Sequence, residues 1–225
     1  AGPQSQHTVV LSAALLENGI LRVGGTPQDD VIEVVPQGRG QVAVWINAAQ
    51  VGVFDNPEGV VLYGYDGNDQ ISVAGFRGWA MLHGGAGDDW LKAGLGDALL
   101  LGGDGDDVLI AGSGNNVLVG GAGNDVLQGG TGRNLLIGGL GSDQFQGVFK
   151  AGSLLITDAT THDEDPSIWP AILAAWSSTG EVDRWLNYQT IVPDGAVDKL
   201  PGGTMQGQVI LGLEDKGPRS NQGKN

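Results

Sequence analysis

A large apolar residue returns at a fixed interval through the middle of the chain. Ile71, Leu82, Leu91, Leu100, Leu109, Leu118, Leu127, Leu136 and Phe145 stand nine residues apart, save for one two-residue insertion after Ser72, and no polar residue interrupts them. Each is flanked closely by Gly, Asp or Asn, so the pattern predicts very short strands with one inward side chain each. That series is expected to be core. Ahead of it, Thr8 to Leu11, Ile20 to Val23, Asp30 to Val35, Gln41 to Asn47, Val51 to Phe54 and Val60 to Tyr63 read as strands parted by Gly, Pro and Asn. Behind it the spacing changes: Trp169, Ile172, Leu173 and Trp176 recur every three to four residues and predict a helix over Pro166 to Ser178. Pro166 suits its first turn, and Asp163, Glu164 and Asp165 suit its positive end. A shorter helical stretch is expected at Val182 to Asn187, with Trp185 and Leu186 as packing residues.

Aligned on the apolar series, the units read GYDGNDQIS at Gly64 to Ser72, GFRGWAMLH at Gly75 to His83, then seven contiguous nonapeptides from Gly84 to Gln146. Their pattern is G-G-x-G-x-D-x-U-x, with U large and apolar. Glycine at positions one, two and four is expected to supply positive φ and close backbone approach in tight stacked turns. The pattern resembles the calcium-binding nonapeptide of the RTX, or hemolysin-type, repeat proteins. That resemblance implies an all-β fold, a right-handed parallel β-roll in which six residues turn, three form a strand, and two units complete a coil. It also implies calcium as the cofactor. The chain then divides into a β-rich N-terminal cap over 1–63, the roll over 64–146, a helix-containing C-terminal cap over 147–213 and a flexible tail over 214–225. Gly25 to Ile32 resembles a degenerate first repeat with Asp30 in the metal position and Ile32 in the core, and 36–59 an excursion from it.

If two units make a coil, alternate turns share an edge. Position six is Asp69, Asp89, Asp107, Asp125 and Asp143 on one edge, and Ala80, Ala98, Asn116 and Asn134 on the other. Asp66, Asp88, Asp104 and Asp106 also fall on the first edge and only Asp97 on the second, whereas Arg77 and Arg133 lie opposite the acids. Carboxylates stacked about 4.8 Å apart repel by about 3 kcal/mol per neighbouring pair at an effective dielectric near 20. A hard divalent cation with six to eight oxygen ligands would relieve this. The expected ligands are the five position-six aspartates together with the turn residues at positions one, three and five. These are Gly64, Asp66 and Asn68; Gly84, Ala86 and Asp88; Gly102, Asp104 and Asp106; Gly120, Ala122 and Asn124; and Gly138, Leu140 and Ser142. Five turns enclose four gaps, so about four calcium ions are expected along this edge, with Asp30 a candidate fifth site. The second edge is expected to hold an Asn116/Asn134 amide ladder instead.

Composition narrows the possibilities further. With 26 acidic against 11 basic residues the formal net charge is −15, the wrong sign for a nucleic-acid footprint. No apolar run approaches the roughly 20 residues of a membrane-spanning helix, and without cysteine there are no disulfides or thiolate metal sites. No G-x-S-x-G elbow or phosphate loop occurs, and His7, His83 and His162 have no ligand spacing to one another. No enzyme is expected. The acidic stretch Asp158 to Asp165 reads as a helix start before a cation site, Asp194 to Asp198 as a decayed turn.

Outward strand positions distinguish the two sheets. One carries Trp90, Lys92, Val108, Ile110, Val126 and Gln128; the other carries Leu99, Leu101, Val117, Val119, Leu135 and Ile137, an apolar face too large to leave in water. Cover by the C-terminal helix is the favoured expectation, self-association through that face the other. The leading functional expectation is a secreted calcium-binding roll with a structural, self-assembling role at the cell surface or in extracellular matrix, calcium binding along one edge driving its folding. A folding or secretion module of a larger enzyme or adhesin is the alternative, and Trp90 with Tyr63 and Tyr65 is the only aromatic candidate near the roll for an adhesive surface.

Overall fold

The position-eight ladder forms the centre of a parallel β-solenoid in a computed structural model of the chain, described here over residues 13–147, 153–157, 159–160, 167–178, 191–192 and 207–210. Leu82, Leu100, Leu118 and Leu136 pair in register in one sheet, and Leu91, Leu109, Leu127 and Phe145 in the other. All eight are at most 1 % exposed. Each buried Leu of this kind contributes about 2 kcal/mol of apolar burial, so the ladder is the main cohesive element of the roll.

The larger sheet runs Ala14–Glu17, Ile20–Gly24, Gly59–Asp66, Trp79–Ala86, Ala98–Asp104, Asn116–Ala122, Asn134–Leu140, Ser153–Ile156, Gly207–Ile210, parallel throughout except for the first pair. The smaller runs Gln144–Gly147, Val126–Gly129, Val108–Ile110, Trp90–Lys92, Gln70–Ser72, Val31–Gly38, and then turns antiparallel through Gln41–Ile46 and Ala49–Asp55. That last pair is the excursion from the degenerate repeat: Ile32 lies beside Ile71 in the parallel ladder before the chain leaves it. The hairpin turn at Asn47 and Ala48 has φ of 50° and 62°, the two left-handed residues of a two-residue hairpin that follows the strand twist.

The solenoid extends past the glycine-rich repeats at both ends. Ile20–Gly24 is parallel to Gly59–Asp66, and Ser153–Ile156 to Asn134–Leu140. The division between N-terminal cap and roll at residue 63 therefore falls inside a strand. The insertion after Ser72 is absorbed in one turn, where Val73 and Phe76 are both buried.

The helix spans Trp169–Ser178. It begins three residues later than the sequence pattern suggests, and Pro170 stands in its first turn, a place where a missing N–H costs no helical hydrogen bond. Trp169, Ile172, Leu173 and Trp176 close over Leu99, Leu101, Val117, Val119, Leu135 and Ile137 to form a second apolar cluster. The apolar outer face is thus covered within the chain. Arg133 fixes one end of the helix: its guanidinium donates to the Trp176 carbonyl, and the Trp176 indole N–H donates to the Arg133 carbonyl at 3.1 Å. The readings at Thr8 to Leu11, Asp163 to Pro166, Val182 to Asn187, Asp194 to Asp198 and beyond Glu214 lie outside the described residues, as does Asp158.

Candidate metal centre

Turns on the acidic edge owe their shape to their glycines. Positions two and four, at Gly85, Gly87, Gly103, Gly105, Gly121, Gly123, Gly139 and Gly141, have φ between 110° and 138°, which an L side chain adopts only with strain. Position one is glycine for a different reason, since its φ is ordinary. A Cβ on Gly84 would stand 2.1 Å from Asp89 Oδ2 and 2.7 Å from the Gly102 carbonyl oxygen. The same two oxygens, one turn along, face Gly64, Gly102 and Gly120. Each position-one glycine therefore preserves a hollow lined by a carboxylate oxygen of its own turn and a carbonyl oxygen of the next.

The six aspartates at position six form one buried column. Asp30, Asp69, Asp89, Asp107, Asp125 and Asp143 are each at most 2 % exposed. Successive members are tied by one hydrogen bond: the Asp69 N–H donates to Asp89 Oδ1 at 2.8 Å, Asp89 to Asp107 at 2.7 Å, Asp107 to Asp125 at 2.8 Å, and Asp125 to Asp143 at 2.9 Å. The Oδ2 atoms of Asp69, Asp89, Asp107 and Asp125 are buried and have no hydrogen-bond partner. A carboxylate held this way is costly, and burial raises the acids: Asp69 to about 6, Asp89 to about 7, Asp107 to about 9 and Asp125 to about 7. Repulsion from neighbouring aspartates adds to the shift, and the backbone donors oppose it.

This donor set fits a hard cation. Among the described residues no three acidic or histidine side chains converge, so each gap offers an unpaired carboxylate oxygen next to backbone carbonyls, the oxygen-rich mixture that calcium takes. The position-one residues expected as ligands, Gly84, Gly102 and Gly120, bring their carbonyl oxygens to these hollows. The position-three carbonyls of Ala86, Asp104, Ala122 and Leu140 already accept hydrogen bonds from the preceding coil at 2.7 to 2.8 Å, leaving each a second lone pair.

Position five holds a feature the sequence reading did not separate. The N–H of Asn68 donates to Asp29 Oδ1, that of Asp88 to Asn68, Asp106 to Asp88, Asn124 to Asp106 and Ser142 to Asn124, all at 2.7 to 3.0 Å. Asp88 and Asp106 are thus members of an exposed ladder outside the buried column. Its signal in the sequence is the unbroken Asp or Asn at the fifth place from Asp29 to Asn124.

The second edge is built differently. Gly94, Gly96, Gly112, Gly114, Gly130 and Gly132 show no positive φ and are required by close stacking, an added Cβ on Gly112 standing 1.6 Å from the Gly94 carbonyl oxygen. Asn116 and Asn134 are fully buried, and Asn116 Nδ2 donates to Asn134 Oδ1 at 2.9 Å. Asp97 Oδ1 accepts the Asn115 N–H at 2.8 Å. The aromatic candidates do not meet: Tyr63 and Tyr65 stack at 6.0 Å on the larger sheet, while Trp90 lies in the smaller one under Lys92.

A family model for the RTX calcium-binding nonapeptide repeat matches the chain in four copies, over residues 60–80, 75–109, 83–118 and 110–145. No curated protein and no solved structure matches it. The matched segment is the one that carries the column of aspartates from Asp69 to Asp143, the glycine hollows and the parallel ladder, and over residues 60–145 the chain therefore carries RTX calcium-binding nonapeptide repeats folded as a β-roll.

Proposed function

We propose that this calcium-binding β-roll is a secreted, non-enzymatic structural protein whose folding is coupled to calcium outside the cell. The observation that carries this reading is the row of four buried aspartate oxygens without a hydrogen-bond partner, at Asp69, Asp89, Asp107 and Asp125, beside the glycine hollows. The five turns from Asp69 to Asp143 enclose four gaps, so four ions would fill the column. Each ion brings two positive charges, so the formal charge of −15 would become about −7. Where calcium is scarce the column repels itself and the roll is loosened; where calcium is abundant, binding favours the folded state by linkage. An affinity on the order of 10⁻⁴ M, typical of extracellular modules, would place the change between those conditions. Because the helix covers the apolar face, any structural partner would use other surfaces.

The test is a calcium titration of EDTA-treated protein, with circular dichroism and light scattering recorded together. Strand signal rising with calcium at constant particle size is expected. No change in either would overturn the reading, and a rise in scattering would mark an assembling subunit.

A further inference from the structure

One member of the aspartate column is held unlike Asp69, Asp89, Asp107 and Asp125. The Asp30 N–H donates to Asp69 Oδ1 at 2.7 Å, so Asp30 occupies the same stack. Yet both of its own oxygens are taken. Its Oδ2 accepts the Thr26 N–H at 2.6 Å and the Thr26 hydroxyl at 2.9 Å, and its Oδ1 accepts Asn47 Nδ2 at 2.6 Å. In the later turns the residue corresponding to Thr26 is Tyr65, Gly85, Gly103, Gly121 or Gly139, and the Oδ2 atoms of Asp69, Asp89, Asp107 and Asp125 accept no hydrogen bond. Asn47 comes from the excursion. Its left-handed turn brings the amide beneath the column, where its Oδ1 also accepts the Val31 N–H at 2.8 Å and its own N–H donates to the Val31 carbonyl at 2.9 Å.

A buried carboxylate is satisfied by donors or by a cation. We propose that Thr26 and Asn47 stand in for a cation at Asp30, so that the calcium column begins at Asp69 and rests on a first turn that needs no metal. This rests on the calcium reading above. It assigns the excursion, which otherwise breaks the repeat, a role as the terminator of the metal-binding edge.

The experiment counts calcium bound to the full chain by equilibrium dialysis. Asp30→Asn is expected to keep the count of the unsubstituted protein, whereas Asp89→Asn loses one ion; loss of one ion in Asp30→Asn would overturn the proposal. The double substitution Thr26→Gly with Asn47→Ala removes the donors and is expected to gain one ion, and an unchanged count would also overturn it. Hydrogen exchange of the calcium-free chain supplies a readout independent of those variants. Slow exchange at the Asp30 and Val31 amides beside fast exchange at Asp89 and Asp107 is expected, and equally fast exchange at all four would sink the idea. If the unsubstituted protein binds no calcium, the calcium reading itself fails, an outcome distinct from either variant result.

Discussion

Gly102 shows how one residue type answers two demands within a nine-residue unit. Its φ is ordinary, yet a Cβ would stand 2.2 Å from Asp107 Oδ2 and 2.4 Å from the Gly120 carbonyl oxygen. Gly102→Ala is therefore expected to lower the calcium count by one and to raise the calcium concentration needed for folding. Gly114→Ala is the matched control, because its Cβ would stand 2.3 Å from the Gly96 carbonyl oxygen on the second edge, away from the aspartate column. It should reduce thermal stability and leave the count unchanged, both readable by calorimetric titration. The aspartate column and the position-one glycines were legible in the sequence because from Asp89 and Gly84 onward each recurs every eighteen residues. Thr26 and Asn47 were not legible as partners of Asp30, since they meet it only through a hairpin whose register no local pattern specifies. The split between the buried Asp89 and the exposed Asp88 was equally hidden, because adjacent carboxylates look alike until the backbone of the turn points them apart.

At the scale of elements, the helix and the sheet it covers were both visible as patterns, one at a spacing of three to four residues and one as paired outward apolar positions. Their docking depends on Trp176, which is 2 % exposed and lies 5.0 Å from the Arg133 guanidinium carbon. Trp176→Ala removes a large buried ring, the Arg133 stacking and the indole hydrogen bond, and should destabilise the roll by about 3 to 5 kcal/mol. Thermal unfolding measures that cost, and binding of a hydrophobic dye should rise as Leu99, Val117 and Leu135 become accessible. Unchanged dye binding would mean that the helix is not the cover. Arg133→Lys keeps the charge but not the planar guanidinium, so a smaller loss is expected. The extension of the sheet by Ser153–Ile156 was not legible, for the stretch Leu154 to Ile156 has no glycine turn of the repeat kind beside it and is placed by pairing with Leu135 to Ile137. Tertiary pairing decided it, and local composition did not.

For the molecule as a whole, the acidic edge makes stability depend on pH in opposite directions with and without calcium. In the metal-free roll burial raises Asp69 to about 6, Asp89 and Asp125 to about 7 and Asp107 to about 9, against 3.8 for the unperturbed group. A group whose folded value is raised holds its proton better in the folded state. Its stabilising contribution is complete below about pH 4 and is lost as pH rises through 6 to 9. Calcium needs the deprotonated form, so its affinity should climb over that same interval. In EDTA the strand signal is expected to weaken from about pH 5 to about pH 9, and with millimolar calcium to hold or strengthen over the same range. Circular dichroism along the two series decides it. Parallel curves would show that the buried aspartates do not govern folding. Curves that cross would show protons and calcium competing for the same oxygens, each able to neutralise the column that otherwise drives the coils apart.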